Sequence, residues 1–266
     1  MNKIFALLCI VILLVPGIPG FDPVLIENNT VWLDTNGDPI MAQGGCIIEV
    51  DGTYHWFGPY FTNRDDPIKF REIRHYTSTD LKNWTRQSGG ELKPGMPTVP
   101  FQQGNWVGRP YVLRNELTSK YVMWVEWSDN EPGTRNKYVV FTADDLYAAN
   151  AWTYQGVFKT LPDATGTHRI LGDMGMYQEG SEAYLLYTFD KNERNDSYAF
   201  VKLSNDFLSP LPPVPGNYVE FTGGIWKEYD GDFREAHAVF KRDGIYYHFS
   251  SNTRGFRPSD TSYRPR

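Results

Sequence analysis

Apolar and polar positions alternate over short segments of the chain, and turn-forming residues separate these segments. Four segments share a turn signal followed by a run of aromatic and β-branched residues, which is typical of the second strand of a β-hairpin. They are 51–56 (DGTYHW), 118–124 (TSKYVMW), 180–187 (GSEAYLLY) and 243–249 (DGIYYHF). No segment has the apolar period of a long amphipathic helix. The pattern therefore predicts an all-β protein.

A second motif follows the first three hairpins in the same order along the chain. It joins a small residue to an aspartate and a large apolar residue, at 78–81 (STDL), 143–146 (ADDL) and 204–208 (SNDFL). A repeat of this size predicts a β-propeller, and a β-sandwich with chance similarity between its hairpins is the alternative. The first motif occurs four times and the second three times, so we expect about four blades. The chain is then either a four-bladed or open form, or a shortened copy of a five-bladed ring.

The N-terminus has a different pattern. Lys3 precedes an unbroken apolar run from Ile4 to Val15, and proline and glycine residues follow that run. The run is too short to span a bilayer, so it predicts a secretory signal peptide over residues 1–20. We expect a single propeller domain over residues 21–266 and a secreted, extracellular protein. An N-terminal anchor is the alternative.

The composition of the chain limits which ligands and cofactors we expect. The net charge is −6 without long runs of either sign, which argues against nucleic acid as a ligand. Cys9 falls within the predicted signal peptide, so Cys46 is left without an internal disulfide partner. Aromatic residues make up 15% of the chain, which suits both a β-rich core and stacking on sugar rings. The five histidines lack metal-ligand spacing. We therefore expect a monomer with no membrane partner, no metal and no cofactor.

Three Asn-x-Ser/Thr sequons, at Asn28, Asn83 and Asn195, predict a glycoprotein if the chain passes through a eukaryotic secretory pathway.

One polar residue precedes the apolar inner strand of each repeat unit. Counting back 11 or 12 residues from each hairpin tyrosine gives Gln43, Arg109, Asp173 and Glu235. The inner strands of a propeller line its central channel, so we expect these side chains to converge there. Two carboxyls in one pocket, one protonated and one ionised, favour glycoside cleavage. The alternative is that Asp173 and Glu235 pair with Arg109, Arg234 or His237 and only satisfy buried polar groups.

Seven segments that run in order from about Trp32 to Pro258 are specific as a set. They are 41–45 (MAQGG), 52–58 (GTYHWFG), 76–84 (YTSTDLKNW), 109–110 (RP), 120–124 (KYVMW), 172–174 (GDM) and 234–244 (REAHAVFKRDG). Together they resemble glycoside hydrolase family 43, in its exo-β-1,3-galactanase-like branch. The resemblance implies a five-bladed propeller that cleaves glycosidic bonds with inversion, and implies that this chain lacks the last blade.

The resemblance also implies roles for individual residues. Glu235 matches the general acid of the family, and Asp173 matches the carboxylate that tunes and orients that acid. Gln43 is consistent with this branch, which has no aspartate in the first blade. We expect Gln43, Arg109, His237 and Trp56 to bind the substrate, an oligosaccharide or polysaccharide such as a plant-type galactan.

The chain departs from the pattern of the branch at three positions. Gly108 and Pro59 stand where the branch usually has glutamates, and His237 stands where it has proline. Loss of two pocket carboxylates removes hydrogen bonds that stabilise a transition state. The sequence therefore leaves two functions open. One is a secreted exo-acting glycosidase, and the other is a non-catalytic, carbohydrate-binding propeller.

Overall fold

A computed structural model gives the structure of most of the chain. The described residues are 25–27, 30–61, 70–102, 104–129, 136–190, 197–222 and 234–252. The chain divides into the compact units Met1–Thr30 and Val31–Arg266, and the second unit contains the fifteen strands that the structure describes. The described residues include no helix with the length and apolar character needed to cross a membrane. The predicted signal peptide lies outside the described residues.

The strands form successive antiparallel sheets, which we call blades. The first blade consists of β1 (Cys46–Val50), β2 (Thr53–Phe61), β3 (Phe70–Ser78) and β4 (Thr85–Leu92). The second consists of β5 (Trp106–Asn115), β6 (Lys120–Ser128), β7 (Lys137–Ala143) and β8 (Thr153–Phe158). The third, in spatial order β13-β12-β11-β10-β9, consists of β9 (Thr160–Pro162), β10 (His168–Glu179), β11 (Glu182–Phe189), β12 (Ser197–Lys202) and β13 (Tyr218–Thr222). In the fourth, the described strands are β14 (Arg234–Arg242) and β15 (Ile245–Asn252).

The hairpins predicted from the turn signals are confirmed. In the first and fourth blades the two turn residues both have positive φ, which two-residue hairpin loops favour because it matches the twist of the strands. The angles are 49° at Asp51, 78° at Gly52, 53° at Asp243 and 79° at Gly244. The residues that flank each turn are direct partners in the β-ladder.

The second repeated motif forms the same turn in the first and third blades. Ser78 Oγ donates a hydrogen bond to Asp80 Oδ1 at 2.9 Å, and Ser204 Oγ donates to Asp206 Oδ1 at 2.6 Å. The next residues, Leu81 and Phe207, have φ of 62° and 64°. The motif therefore recurs because it caps a specific turn.

Neighbouring blades pack face to face through two apolar clusters. Between the first and second blades the buried residues include Phe57, Ile73, Val112, Val125 and Phe141. Between the second and third they include Trp124, Tyr138, Leu185, Tyr187 and Phe207. The inner strands also touch in sequence, since β5 contacts β1 and β10, and β14 contacts β10. Sheets stacked in chain order around their inner strands form a β-propeller, as predicted.

A histidine pair in the first blade links stability to pH. His75 is fully buried, with Nδ1 2.9 Å from the carbonyl oxygen of Gly89 and Nε2 2.9 Å from His55 Nδ1. Burial lowers the pKa of His75 from 6.5 to about 4 and also lowers the pKa of His55. As pH falls below 6.5 the unfolded chain binds protons that the folded chain does not. The folded state therefore loses stability on acidification toward pH 4.

We expect H75Q to weaken this pH dependence. The variant loses the packing of His75 on Phe57, so it is less stable than the wild type at neutral pH. Its unfolding free energy, however, falls less between neutral pH and about pH 5, because the side chain that resists protonation is gone. Denaturant titrations at both pH values measure this difference. The exposed His168 supplies the control, since H168Q should keep the wild-type pH dependence. An equal loss on acidification in H75Q and the wild type would contradict the prediction.

Candidate active site

The inner strands of three blades carry a β-bulge where the sequence predicts site residues. The ladder register shifts between Gly108 and Tyr111 in β5, between Leu171 and Met174 in β10, and between Glu235 and Ala238 in β14. A bulge interrupts the ladder and turns side chains in a new direction. Arg109 and Ala236, in two of these bulges, have φ of 45° and 54°. Positive φ is uncommon outside glycine, and such strain is found preferentially at functional sites.

The bulges also correct the predicted equivalence of the site residues. Glu235 and Gly108 are each the last paired residue before the bulge, and they face Ser251 and Glu126 respectively. Glu235 is therefore the counterpart of Gly108, and the prediction that it shares a position with Arg109 is wrong by one residue. Counting back from the hairpin tyrosines could not detect this offset, because four residues join β5 to β6 whereas two join β14 to β15, so similar counts reach different positions of the ladder.

Arg109 holds two carboxyls from neighbouring blades. Its Nη2 donates a hydrogen bond to Asp173 Oδ2 at 2.5 Å, and its Nε lies 3.5 Å from Glu126 Oε1. Burial alone would lower the pKa of Arg109, but the charges on Glu126 and Asp173 raise it above its usual value. Asp173 thus pairs with Arg109, as in the structural alternative considered for the sequence. The same pair also fixes the direction of the Asp173 carboxylate.

Glu126 belongs to this cluster, although the sequence did not single it out. Its side chain is fully buried on β6, and Oε1 accepts a hydrogen bond from the backbone N–H of Met174. Its Oε2 accepts from Asn136 Nδ2 at 3.3 Å. Burial raises the pKa of Glu126 well above its usual range, and the charge on Asp173 adds to this effect. One signal was available: Glu126 is the one acidic residue of β6, and apolar or aromatic residues flank it on both sides.

Glu235 approaches the cluster from the fourth blade. The hydroxyl of Tyr111 donates a hydrogen bond to the carbonyl oxygen of His237 at 3.2 Å and so links β5 to β14 just after Glu235. A Cβ atom on Gly175 would lie 2.2 Å from the same oxygen, so only glycine lets β10 approach this closely. The charge of Glu235 acts on both Arg109 and Glu126. Three blades therefore bring their ionisable groups into one electrostatic cluster.

His237 is buried in the packing between the third and fourth blades. Its Nδ1 lies 2.9 Å from His248 Nε2, and its ring centroid is 5.3 Å from that of Tyr198. Burial lowers the pKa of His237 to about 3, which keeps the ring neutral. These contacts make His237 a support for the strand that carries Glu235. Its direct contact with substrate stays a prediction.

Gln43 and Trp56 lie in the first blade. Gln43 is exposed just before β1, in a segment that crosses closely over β2: a Cβ on Gly58 would lie 2.4 Å from the backbone of Ala42. Trp56 is half-buried, and its ring contacts Trp84 at a centroid distance of 5.2 Å. The structure therefore puts Trp56 in an aromatic cluster of the blade. The substrate-binding roles of both residues stay predictions.

An indole ring covers the position where a pocket glutamate was expected. A Cβ atom on Gly108 would lie 2.7 and 2.8 Å from two ring carbons of Trp106. A side chain at position 108 would therefore displace this ring, which is half-buried. Pro59, the other residue that stands where the branch usually has glutamate, is buried in β2 opposite Ile73. The second blade thus presents an aromatic surface where the fourth blade presents Glu235.

The fold matches solved enzyme structures, whereas no protein-family model and no curated protein matches the sequence. An exo-β-1,3-galactanase from Phanerochaete chrysosporium, solved with galactose, is 30% identical with a TM-score of 0.69, over 86% of this chain and 48% of that one. A family 43 β-1,3-galactosidase is 27% identical with a TM-score of 0.68, over 86% and 44%. An exo-β-1,3-galactanase from Clostridium thermocellum has the same fold at 24% identity, with a TM-score of 0.68, over 86% and 46%.

These matches confirm the resemblance to glycoside hydrolase family 43, in its exo-β-1,3-galactanase-like branch, and they confirm the β-propeller class. The chain spans about half the length of these three solved proteins.

Proposed function

We propose that this structural relative of the family 43 galactanases is a secreted glycoside hydrolase that cleaves a β-galactan or a similar polysaccharide, with Glu235 as its general acid. The observation that carries the proposal is the Arg109–Asp173 ion pair of 2.5 Å, which belongs to one electrostatic cluster with Glu235, at bulges in three inner strands. Galactanases and galactosidases of similar fold support the choice of substrate class.

The cluster supplies the groups that a general acid needs. Glu235 donates a proton to the glycosidic oxygen as the bond breaks, so the part of the substrate that keeps this oxygen leaves as a neutral alcohol. Asp173, on β10, is the carboxylate that we propose to orient this acid and to tune its proton affinity. Arg109 keeps Asp173 fixed in one direction. In an inverting reaction a general base takes a proton from the water that attacks the opposite face of the sugar, so the first product has the anomeric configuration opposite to that of the substrate.

Carbohydrate binding without turnover is the second candidate function. It is favoured by the Trp106 ring over Gly108, because blade two then lacks a carboxylate on its inner strand at the position equivalent to Glu235. Flat aromatic rings suit contact with the apolar face of a pyranose. If the protein only binds carbohydrate, the Arg109–Asp173 ion pair stabilises the packing of the second blade on the third.

A substrate panel separates the two functions. Purified protein is incubated with β-1,3-galactan, β-1,3-galactotriose, other plant polysaccharides and aryl glycosides, and released sugar is measured. Calorimetry with the same oligosaccharides measures binding. We expect release from the β-galactosides, with the inverted anomer appearing first in proton NMR spectra. Binding without release would favour the second function, and neither binding nor release would exclude both for these sugars.

A further inference from the structure

The second and fourth blades each contribute one carboxyl to the site, but from different strands of the blade. In the fourth blade, Glu235 lies on the inner strand and faces Ser251 on the neighbouring strand. At the equivalent pair of the second blade, Gly108 lies on the inner strand and faces Glu126. The acidic residue is thus on the opposite member of the same cross-strand pair. Glu126 consequently approaches the cluster from behind the inner strand, where it is fully buried.

The contacts of Glu126 cross from the second blade to the third. Its Oε1 accepts the N–H of Met174, the residue that follows Asp173, and lies 3.5 Å from Arg109 Nε. Asn136 donates to Glu126 Oε2 and also to the carbonyl oxygen of Gly172, the residue before Asp173, at 3.0 Å. The backbone on both sides of Asp173 is therefore tied to this group. Arg109 holds the Asp173 side chain itself.

We infer that Glu126 is a positioning residue of the site: its carboxyl joins the second blade to the third and fixes Arg109 and Asp173 relative to each other. Full burial keeps Glu126 from touching a sugar, so it acts through these two residues. The kinetic consequence rests on the proposed function, whereas the positioning itself does not. The ionisable groups that face Glu126 are Arg109 and Tyr111 on β5, Asp173 on β10 and Glu235 on β14.

The balance of charges in the cluster agrees with this role of Glu126. Arg109 balances one negative charge, yet Glu126, Asp173 and Glu235 all act on it. Burial, the dominant influence on Glu126, favours its neutral form. A neutral carboxyl still accepts the hydrogen bond from Met174 N–H and stays 3.5 Å from Arg109 Nε. Glu126 can therefore hold the geometry without adding a further negative charge beside Asp173.

Two substitutions separate hydrogen bonding from bulk. E126Q keeps an oxygen that can accept from Met174 N–H, whereas E126M has similar length and no acceptor of comparable strength. We expect kcat to fall about tenfold in E126Q and about a hundredfold in E126M, with KM within about twofold of the wild type, because a displaced pair misaligns the reaction rather than binding. The control is E91Q, which alters another buried glutamate, ion-paired with Arg86 and Lys93 in the first blade. It should leave kcat unchanged.

Amide hydrogen exchange tests the inference without turnover. We expect the Met174 amide to exchange at least tenfold faster in E126M, to be partly protected in E126Q, and to keep wild-type protection in E91Q. If the wild type hydrolyses no sugar, the proposed function fails, and the exchange data alone decide the role of Glu126. Wild-type protection of Met174 in E126M overturns the inference. So does a kcat in E126M equal to that in E91Q, once both are corrected for folded fraction.

Discussion

Replacing Glu235 with glutamine is expected to lower the rate of glycosidic cleavage about a thousandfold. A glutamine of the same shape cannot donate a proton to the leaving oxygen, and general acid catalysis typically contributes 10²–10⁴-fold. Since substrate contacts are otherwise kept, KM should change little. Rates of sugar release from β-1,3-galactotriose by both proteins measure this effect.

The loss should depend on the leaving group, and this dependence identifies the role. A dinitrophenolate leaves without protonation, so aryl galactosides of that kind should lose far less rate in E235Q than galactotriose does. A residue that only shaped the pocket would affect both substrates alike. E182Q, at the exposed first residue of β11, is the control and should keep the wild-type rate. Equal losses on the two substrates would contradict the assignment of Glu235 as the acid.

Replacing Arg109 with methionine is expected to have the second largest effect, on both activity and stability. The substitution leaves the mostly buried carboxylate of Asp173 without its counter-charge and removes the contact of the guanidinium with the fully buried Glu126. Removing one partner of a buried ion pair is costly, and because Arg109 is about a quarter exposed we expect a loss of about 2 kcal/mol in unfolding free energy. The rate should fall about a hundredfold, because Asp173 is no longer fixed.

Two further variants distinguish these effects of Arg109. R86M removes a guanidinium that binds Glu72 and Glu91, each at 2.8 Å, in the first blade. It should lower stability but not the rate of the folded enzyme. In R109M/D173N the uncompensated charge is gone, so stability should recover in part although activity does not. R109M with wild-type stability and rate would show that the ion pair has no role in fold or site.

The repeat and its hairpins could be predicted from the sequence because both are local. Asp51-Gly52 and Asp243-Gly244 favour positive φ, and the aromatic runs after them have strand periodicity. The order of the blades follows from the order of these motifs. The bulges could not be predicted in the same way. They lie where blades contact each other, as in the hydrogen bond from Tyr111 to His237, and nothing in the local pattern specifies those contacts.

The site could be predicted only in part, for the same reason. Arg109, Asp173 and Glu235 lie on inner strands, as the polar pattern suggested, and their ionisable groups form one cluster, although their positions in the ladders are not equivalent. Glu126 was missed because the search followed inner strands, whereas this residue reaches the cluster from the neighbouring strand. Trp106 was missed because an aromatic residue at the start of a strand is ordinary core material until the glycine beneath its ring is seen.

Incubation of the wild type and E235Q with β-1,3-galactotriose, followed by proton NMR, tests the central claim most directly. We predict that the wild type releases galactose with the inverted anomer first. E235Q should bind the trisaccharide and release about a thousandth as much in the same time. Equal release by the two proteins, or binding by the wild type without any release, would contradict the claim that this propeller cleaves glycosidic bonds through Glu235.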